Sequence, residues 1–130
     1  MSQIGFVILY TRDVVKKMAL YERAFGMQKK YLAQKEVFGE MHGDVPLQFV
    51  QEDFVRGYVA DFVPSRAERS PAAIELGFLF EDVPAAYQRA IEAGCTSVSP
   101  PEKRPWGPTI AFVRDDEGVL VELCSPRSHG

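Results

Sequence analysis

Apolar and polar positions along this chain change period several times, and each change predicts an element. Residues 4–10 alternate with Phe6, Ile8 and Tyr10 on one face and Val7 and Leu9 on the other, which predicts a strand covered on both sides. After Asp13 the period lengthens: Val14, Met18, Tyr21 and Phe25 recur at helical spacing, while Arg12, Lys16, Lys17, Glu22 and Arg23 are assigned mostly to solvent. Asp13 is a suitable N-cap, and Gly26 a suitable stop. Strands are expected at 29–36, 37–42 and 47–52, the last two joined through Gly43 and Asp44. From 53 to 71 the periodicity fades into mixed aromatic, charged, Pro and Ser residues, predicting a linker or a partly ordered flap.

The pattern then restarts. Residues 73–80 predict a strand, Asp82 a second N-cap, and Pro84 a first helical turn; Val83, Tyr87, Ala90 and Ile91 form the apolar stripe, and Gly94 ends it. Weaker strand signals at 96–99 precede two β-rich runs around Asp115-Asp116-Glu117-Gly118, a hairpin signature. Thirteen residues separate Asp13 from Gly26, and twelve separate Asp82 from Gly94. The chain is therefore a repeat: modules 1–62 and 73–130 around a linker at 63–72. Each half has only one helix to cover a four-stranded sheet, so the uncovered faces must meet, within one chain or between two. The expected fold class is α+β, with two tandem β-α-β-β-β modules forming a curled mixed sheet round a cavity, helices outside, in a homodimer.

Composition narrows the partners. The 130 residues are 46% apolar and 25% charged, with a net charge of −3 and no basic stripe, which argues against nucleic acid or an anionic membrane. Met1-Ser2-Gln3-Ile4 lacks a basic leader region, and no apolar run approaches spanning length, so a soluble cytoplasmic protein is expected. Cys95 and Cys124 are read as reduced, mostly buried thiols. No Ser/His/Asp grouping, P-loop or dinucleotide fingerprint is present.

Two residue types carry the candidate chemistry. Alternation puts Glu122 on one face with Leu120 and Cys124, and Val119, Val121 and Leu123 on the other. A carboxylate among such neighbours costs several kcal/mol to bury unless it meets a metal, a cation or a proton. Trp106, between Pro105 and Gly107, could stack on a flat ligand or simply cover a rim. Tyr10, His42 and Tyr58 are weaker signals, with His42 expected to be exposed in a turn.

With the repeat in view, the chain resembles the vicinal oxygen chelate superfamily, which includes glyoxalase I, extradiol dioxygenases, and fosfomycin- and bleomycin-resistance proteins. The resemblance lies in Asp13-Val14 with Leu20-Tyr21-Glu22-Arg23-Ala24-Phe25-Gly26, in Glu81-Asp82-Val83-Pro84-Ala85-Ala86, and in the run from Arg114 to Leu123. It implies four metal-ligand positions, falling here on Phe6, Gln48, Glu75 and Glu122. Phe6 stands where a histidine or glutamine would be expected, and neither His42 nor His129 takes its place. Gln48, Glu75 and Glu122 could hold Mg²⁺ or Mn²⁺ with water, and would suit Zn²⁺ or Ni²⁺ less well. The favoured expectation is no cofactor: a small aromatic or cationic molecule bound by Phe6, Ile8, Tyr10, Gln48, Phe49 and Trp106. Glu75 and Glu122 then serve as proton shuttle or counter-charge, and are the candidate catalytic residues. The alternative is a divalent-metal-dependent lyase, isomerase or dioxygenase.

Overall fold

The structure is a computed structural model that describes residues 1–126; His129 lies outside the described residues. The chain divides into two units, Met1–Glu22 with Gly26–Pro64, and Arg23–Phe25 with the chain from Ser65 onward.

In the first unit, β1 (Val7–Thr11) leads through Asp13 into α1 (Val14–Phe25). The Asp13 carboxylate accepts from the Lys16 N–H at 3.0 Å, and Gly26, at φ 73°, turns the chain out of the helix. β2 (Lys29–Leu32), β3 (Phe38–Met41) and β4 (Leu47–Gln51) follow. The sheet order is β1-β4-β3-β2, with β1 parallel to β4 and the other pairs antiparallel. Val14, Met18 and Tyr21 bury one side of α1. Gly39 lets the helix sit close, since a Cβ there would overlap the Met18 sulfur and lie 3.0 Å from Val14 Cγ1.

Lys17 is 1% exposed, against the expectation that it faces solvent. It stands three residues after Val14 and four before Tyr21, so helical geometry puts it on the buried face whatever its charge. β1 is shorter than expected: Ile4 and Phe6 precede it, and its residues 7–10 are only half-buried, so the expected cover on both faces is absent within this unit. The region expected as a linker opens with a single turn, α2 (Glu52–Val55), capped by Gln51 Oε1 accepting from the Phe54 N–H at 2.8 Å. Beyond it Phe62 packs edge-on to Tyr10, ring centres 5.0 Å apart, with the Arg56 guanidinium 4.2 Å from the Phe62 ring.

The second unit repeats the order with β5 (Leu76–Leu79), α3 (Val83–Ala93), β6 (Thr96–Lys103), β7 (Thr109–Arg114) and β8 (Leu120–Cys124). Its sheet order, β5-β8-β7-β6, matches the first, with β5 parallel to β8. Asp82 accepts from the Ala85 N–H at 3.0 Å, and Gly94 closes α3 at φ 115°. β6 runs past the expected end, through Pro100 and Pro101, by shifting register twice. Prolines are tolerated there because β6 is an edge strand and half its N–H groups need no partner. At the β7–β8 turn the buried Asp115 carboxylate accepts from the N–H groups of Glu117 (2.9 Å) and Val119 (3.0 Å), and Gly118 takes φ 89°.

Arg114 ties the preceding segment down. Its guanidinium donates to the carbonyls of Gly118 (2.9 Å), Arg66 (3.3 Å), Ala67 (3.4 Å) and Arg69. The fold is thus α+β, with two four-stranded mixed sheets and helices against one face of each. No helix among the described residues is long and apolar enough to cross a membrane.

Candidate functional site

Each sheet has a helix-covered face and an open one, and the polar candidates divide between the two open faces. On the second sheet, Val121 and Leu123 are fully buried while Glu122 is half-buried with Leu120 and Cys124. Across the ladder, Glu122 stands opposite Phe112 on β7 and Gly77 on β5. A Cβ on Gly77 would meet nothing within 4 Å, so the space beside Glu122 is unfilled on that side.

Glu75, two residues before Gly77, shares the side of Glu122 by strand parity. Desolvation first, then the neighbouring Glu122 carboxyl, holds the Glu75 carboxyl above its ordinary value. Such a pair can pass a proton to a bound molecule, or exchange it for a ligand's cation.

Trp106 sits at the tip of the β6–β7 turn, closed by Gly107 N–H to Arg104 carbonyl (3.0 Å) and Arg104 N–H to Pro108 carbonyl (2.8 Å). It is 68% exposed. Phe112, which faces Glu122, is three residues from Thr109, the first residue of β7, so roughly 10 Å of strand lies between Glu122's row and the turn. Trp106 and the Glu pair therefore belong to separate parts of the face.

On the first sheet, Ile8, Gln48, Glu40 and Tyr31 form one row across β1, β4, β3 and β2. Gln48 Nε2 donates to Glu40 Oε1 at 2.7 Å, and Glu40 Oε2 pairs with Lys30 Nζ at 3.1 Å. The Gln48 hydrogen bond first, then that of Lys30, holds the Glu40 carboxyl below its ordinary value. Phe6 lies just ahead of β1, 55% exposed, and Tyr10 at the other end is engaged by Phe62.

Phe49 is removed from the candidates. It is fully buried and meets Tyr21 of α1 edge-on at 5.1 Å, because the neighbour of an open-face residue in a strand must point to the helix side. The sequence reading missed Glu40, Lys30 and Phe112. Glu40 carried the signal that singled out Glu122, an acid between residues that bury, here Gly39 and Met41; Lys30 carried none, since a bulge between Lys29 and Tyr31 sets its position.

Among the described residues no three His, Cys, Asp or Glu side chains are grouped to hold a metal ion. Of the four expected ligand positions, Phe6 has no lone pair, Gln48 has a neutral amide oxygen, and only Glu75 and Glu122 offer charged donors together. With no imidazole and no third grouped carboxylate, this set is a poor one for Zn²⁺ or Ni²⁺. His42 is exposed in the turn after β3.

Two β-α-β-β-β units, each bearing polar groups on an open sheet face, define a paired-module fold. The sequence pattern of the Glyoxalase/Bleomycin resistance protein/Dioxygenase superfamily matches residues 3–123, and the chain belongs to that superfamily. Among solved structures, a glyoxalase-related enzyme from Fulvimarina pelagi superposes with a TM-score of 0.82 at 18% identity, over 97% of this chain and 89% of that one. A glyoxalase/bleomycin resistance protein/dioxygenase family enzyme from Burkholderia phytofirmans PsJN gives 0.82 at 22%, over 95% and 98%. TioX from Micromonospora sp. ML1 gives 0.72 at 20%, over 95% and 98%. At these identities the likeness is one of fold. No curated protein matches the sequence significantly.

Proposed function

We propose that this chain is a binding protein of the superfamily, taking a small aromatic or cationic molecule on its open sheet faces without a metal ion. The observation that carries the reading is the neighbouring carboxyl groups Glu75, exposed, and Glu122, half-buried, with Phe112 on one side and the unfilled space at Gly77 on the other. A ligand ammonium set between the two carboxyl groups would offset their repulsion and gain charge-assisted hydrogen bonds. Phe112 offers apolar contact beside the pair, and a ligand reaching from Glu122 to Trp106 has to span about 10 Å or more.

The homodimer belongs to the same reading. Ile74 (71% exposed) and Leu79 (70%), on or next to β5, join Phe6 as large apolar side chains left open, an arrangement a second copy would cover. A thermal-shift screen of aromatic amines identifies ligands, since binding to the folded state alone raises Tm. Titration calorimetry on any hit should then show Glu122→Gln weakening binding by about 1.5 to 3 kcal/mol. Unchanged affinity in that variant removes the carboxyl pair from the site.

Glu75 and Glu122 also support the second reading, a metal-dependent lyase, isomerase or dioxygenase in which the pair moves a proton. Stoichiometric divalent ion in the purified protein, with a Tm well above a chelated control, would put that reading in place of the first.

A further inference from the structure

The open face of the first sheet has a hydrogen-bonding polarity that its residue types alone do not give. A glutamine side chain carries a donor at one end and an acceptor at the other, and either can face a ligand. Glu40 removes the choice here. Its ion pair with Lys30 at 3.1 Å keeps it a carboxylate, which only accepts, so the end of Gln48 within 2.7 Å of it is the NH₂. The carbonyl oxygen of Gln48 is thus the end that Glu40 does not take, and the neighbour across the ladder on β1, Ile8, has no polar side-chain atom to hold it. No hydrogen-bond donor reaches that oxygen among the described residues.

We infer that Glu40 is a positioning residue that fixes the Gln48 carboxamide oxygen-outward, making this face selective for ligands that present an N–H or O–H donor. The inference rests on the small-molecule reading above and deepens it: the ligand class is a molecule whose ring or chain carries a donor, such as a phenol, an amine or an amide N–H. An ether or ester of the same shape would leave two acceptors facing each other.

Phenol and anisole are the probes, followed by ¹H–¹⁵N NMR of the labelled full chain, with Gln48 assigned through Gln48→Leu. In the wild type, phenol should shift the Gln48 side-chain amide and bind about fivefold or more tightly than anisole, the ratio that one net hydrogen bond supports. Glu40→Gln frees the amide to turn either end outward and should bring the ratio to about one, as should Gln48→Leu. Glu40→Asp, which keeps the charge and withdraws it by one methylene, should retain part of the preference. A purely structural role for Glu40 would move both affinities together and leave their ratio intact.

Equal binding of the two probes to the wild type overturns the inference and leaves the small-molecule reading standing. So does a preference that survives Glu40→Gln in a variant whose spectrum shows the native fold. If neither probe shifts any resonance of the open face, the small-molecule reading fails for this sheet, and the inference with it.

Discussion

Glu75 shows how one titrating group feeds into stability. Its carboxyl is held above the ordinary 4.5, so the folded chain keeps a proton that the unfolded chain releases. Stability then falls as pH rises from about that value through the raised one, because the folded state binds more protons over that window. Glu75→Gln keeps a group that can donate to Glu122 and removes the repulsion. It should raise Tm at neutral pH and lose that advantage near pH 4, read by thermal denaturation at both; a fall in Tm at neutral pH would refute the unfavourable pairing of the two carboxyl groups. Glu40 has the opposite sign. Held low by Gln48 and Lys30, it contributes stability above its unfolded value that is lost as pH falls through the folded one.

Among the elements, the β7–β8 hairpin depends most on single residues. Asp115 supplies the acceptor for two turn N–H groups and is itself buried, so Asp115→Ala should cost about 1 to 3 kcal/mol in urea titration. Gly118 combines φ 89° with a backbone carbonyl, that of Arg66, 2.6 Å from where a Cβ would sit. Gly118→Ala should therefore destabilise by about 1 to 3 kcal/mol or more, and a neutral result would show that the turn relaxes. Both residues sit beside Arg114, whose hydrogen bonds hold residues 66–69. Arg114→Met should expose that segment to limited proteolysis ahead of the rest of the chain, and an unchanged cleavage pattern would mean the segment is held by other contacts.

At the scale of the whole molecule, the exposed apolar residues predict association. Ile4 and Phe6 ahead of β1, and Ile74 and Leu79 at β5, are each more than half exposed, and β1 and β5 are edge strands of their sheets, so leaving these side chains in water is costly. Light scattering at micromolar concentration should return twice the chain mass of 14.6 kDa. A monomer would overturn the homodimer and leave those side chains to a ligand or to another partner. Replacing Leu79 with Lys should shift the equilibrium toward monomer if the face is buried between copies.

What the sequence determined by itself was local and periodic. Asp13 and Asp82 as caps, Gly26 and Gly94 as stops, and the turn at residues 115–118 could be read directly, because caps and turns are satisfied by atoms within a few residues. Alternation likewise placed Gln48 and Glu122 on the open faces, since strand parity does not depend on what packs against the strand. The tertiary structure decided what lies beside what. Register alone put Glu40 next to Gln48 and Glu75 within reach of Glu122, and the same ladders held Trp106 about 10 Å or more along the strands from the carboxyl pair. Phe62 on Tyr10 and Arg114 on residues 66–69 join segments with no shared periodicity, so no pattern in the chain announces them. Lys17 is buried because helical position, not residue type, sets which side of α1 it takes. A chain writes its periods into neighbouring residues, whereas a pairing between distant residues exists only once the fold has set their distance.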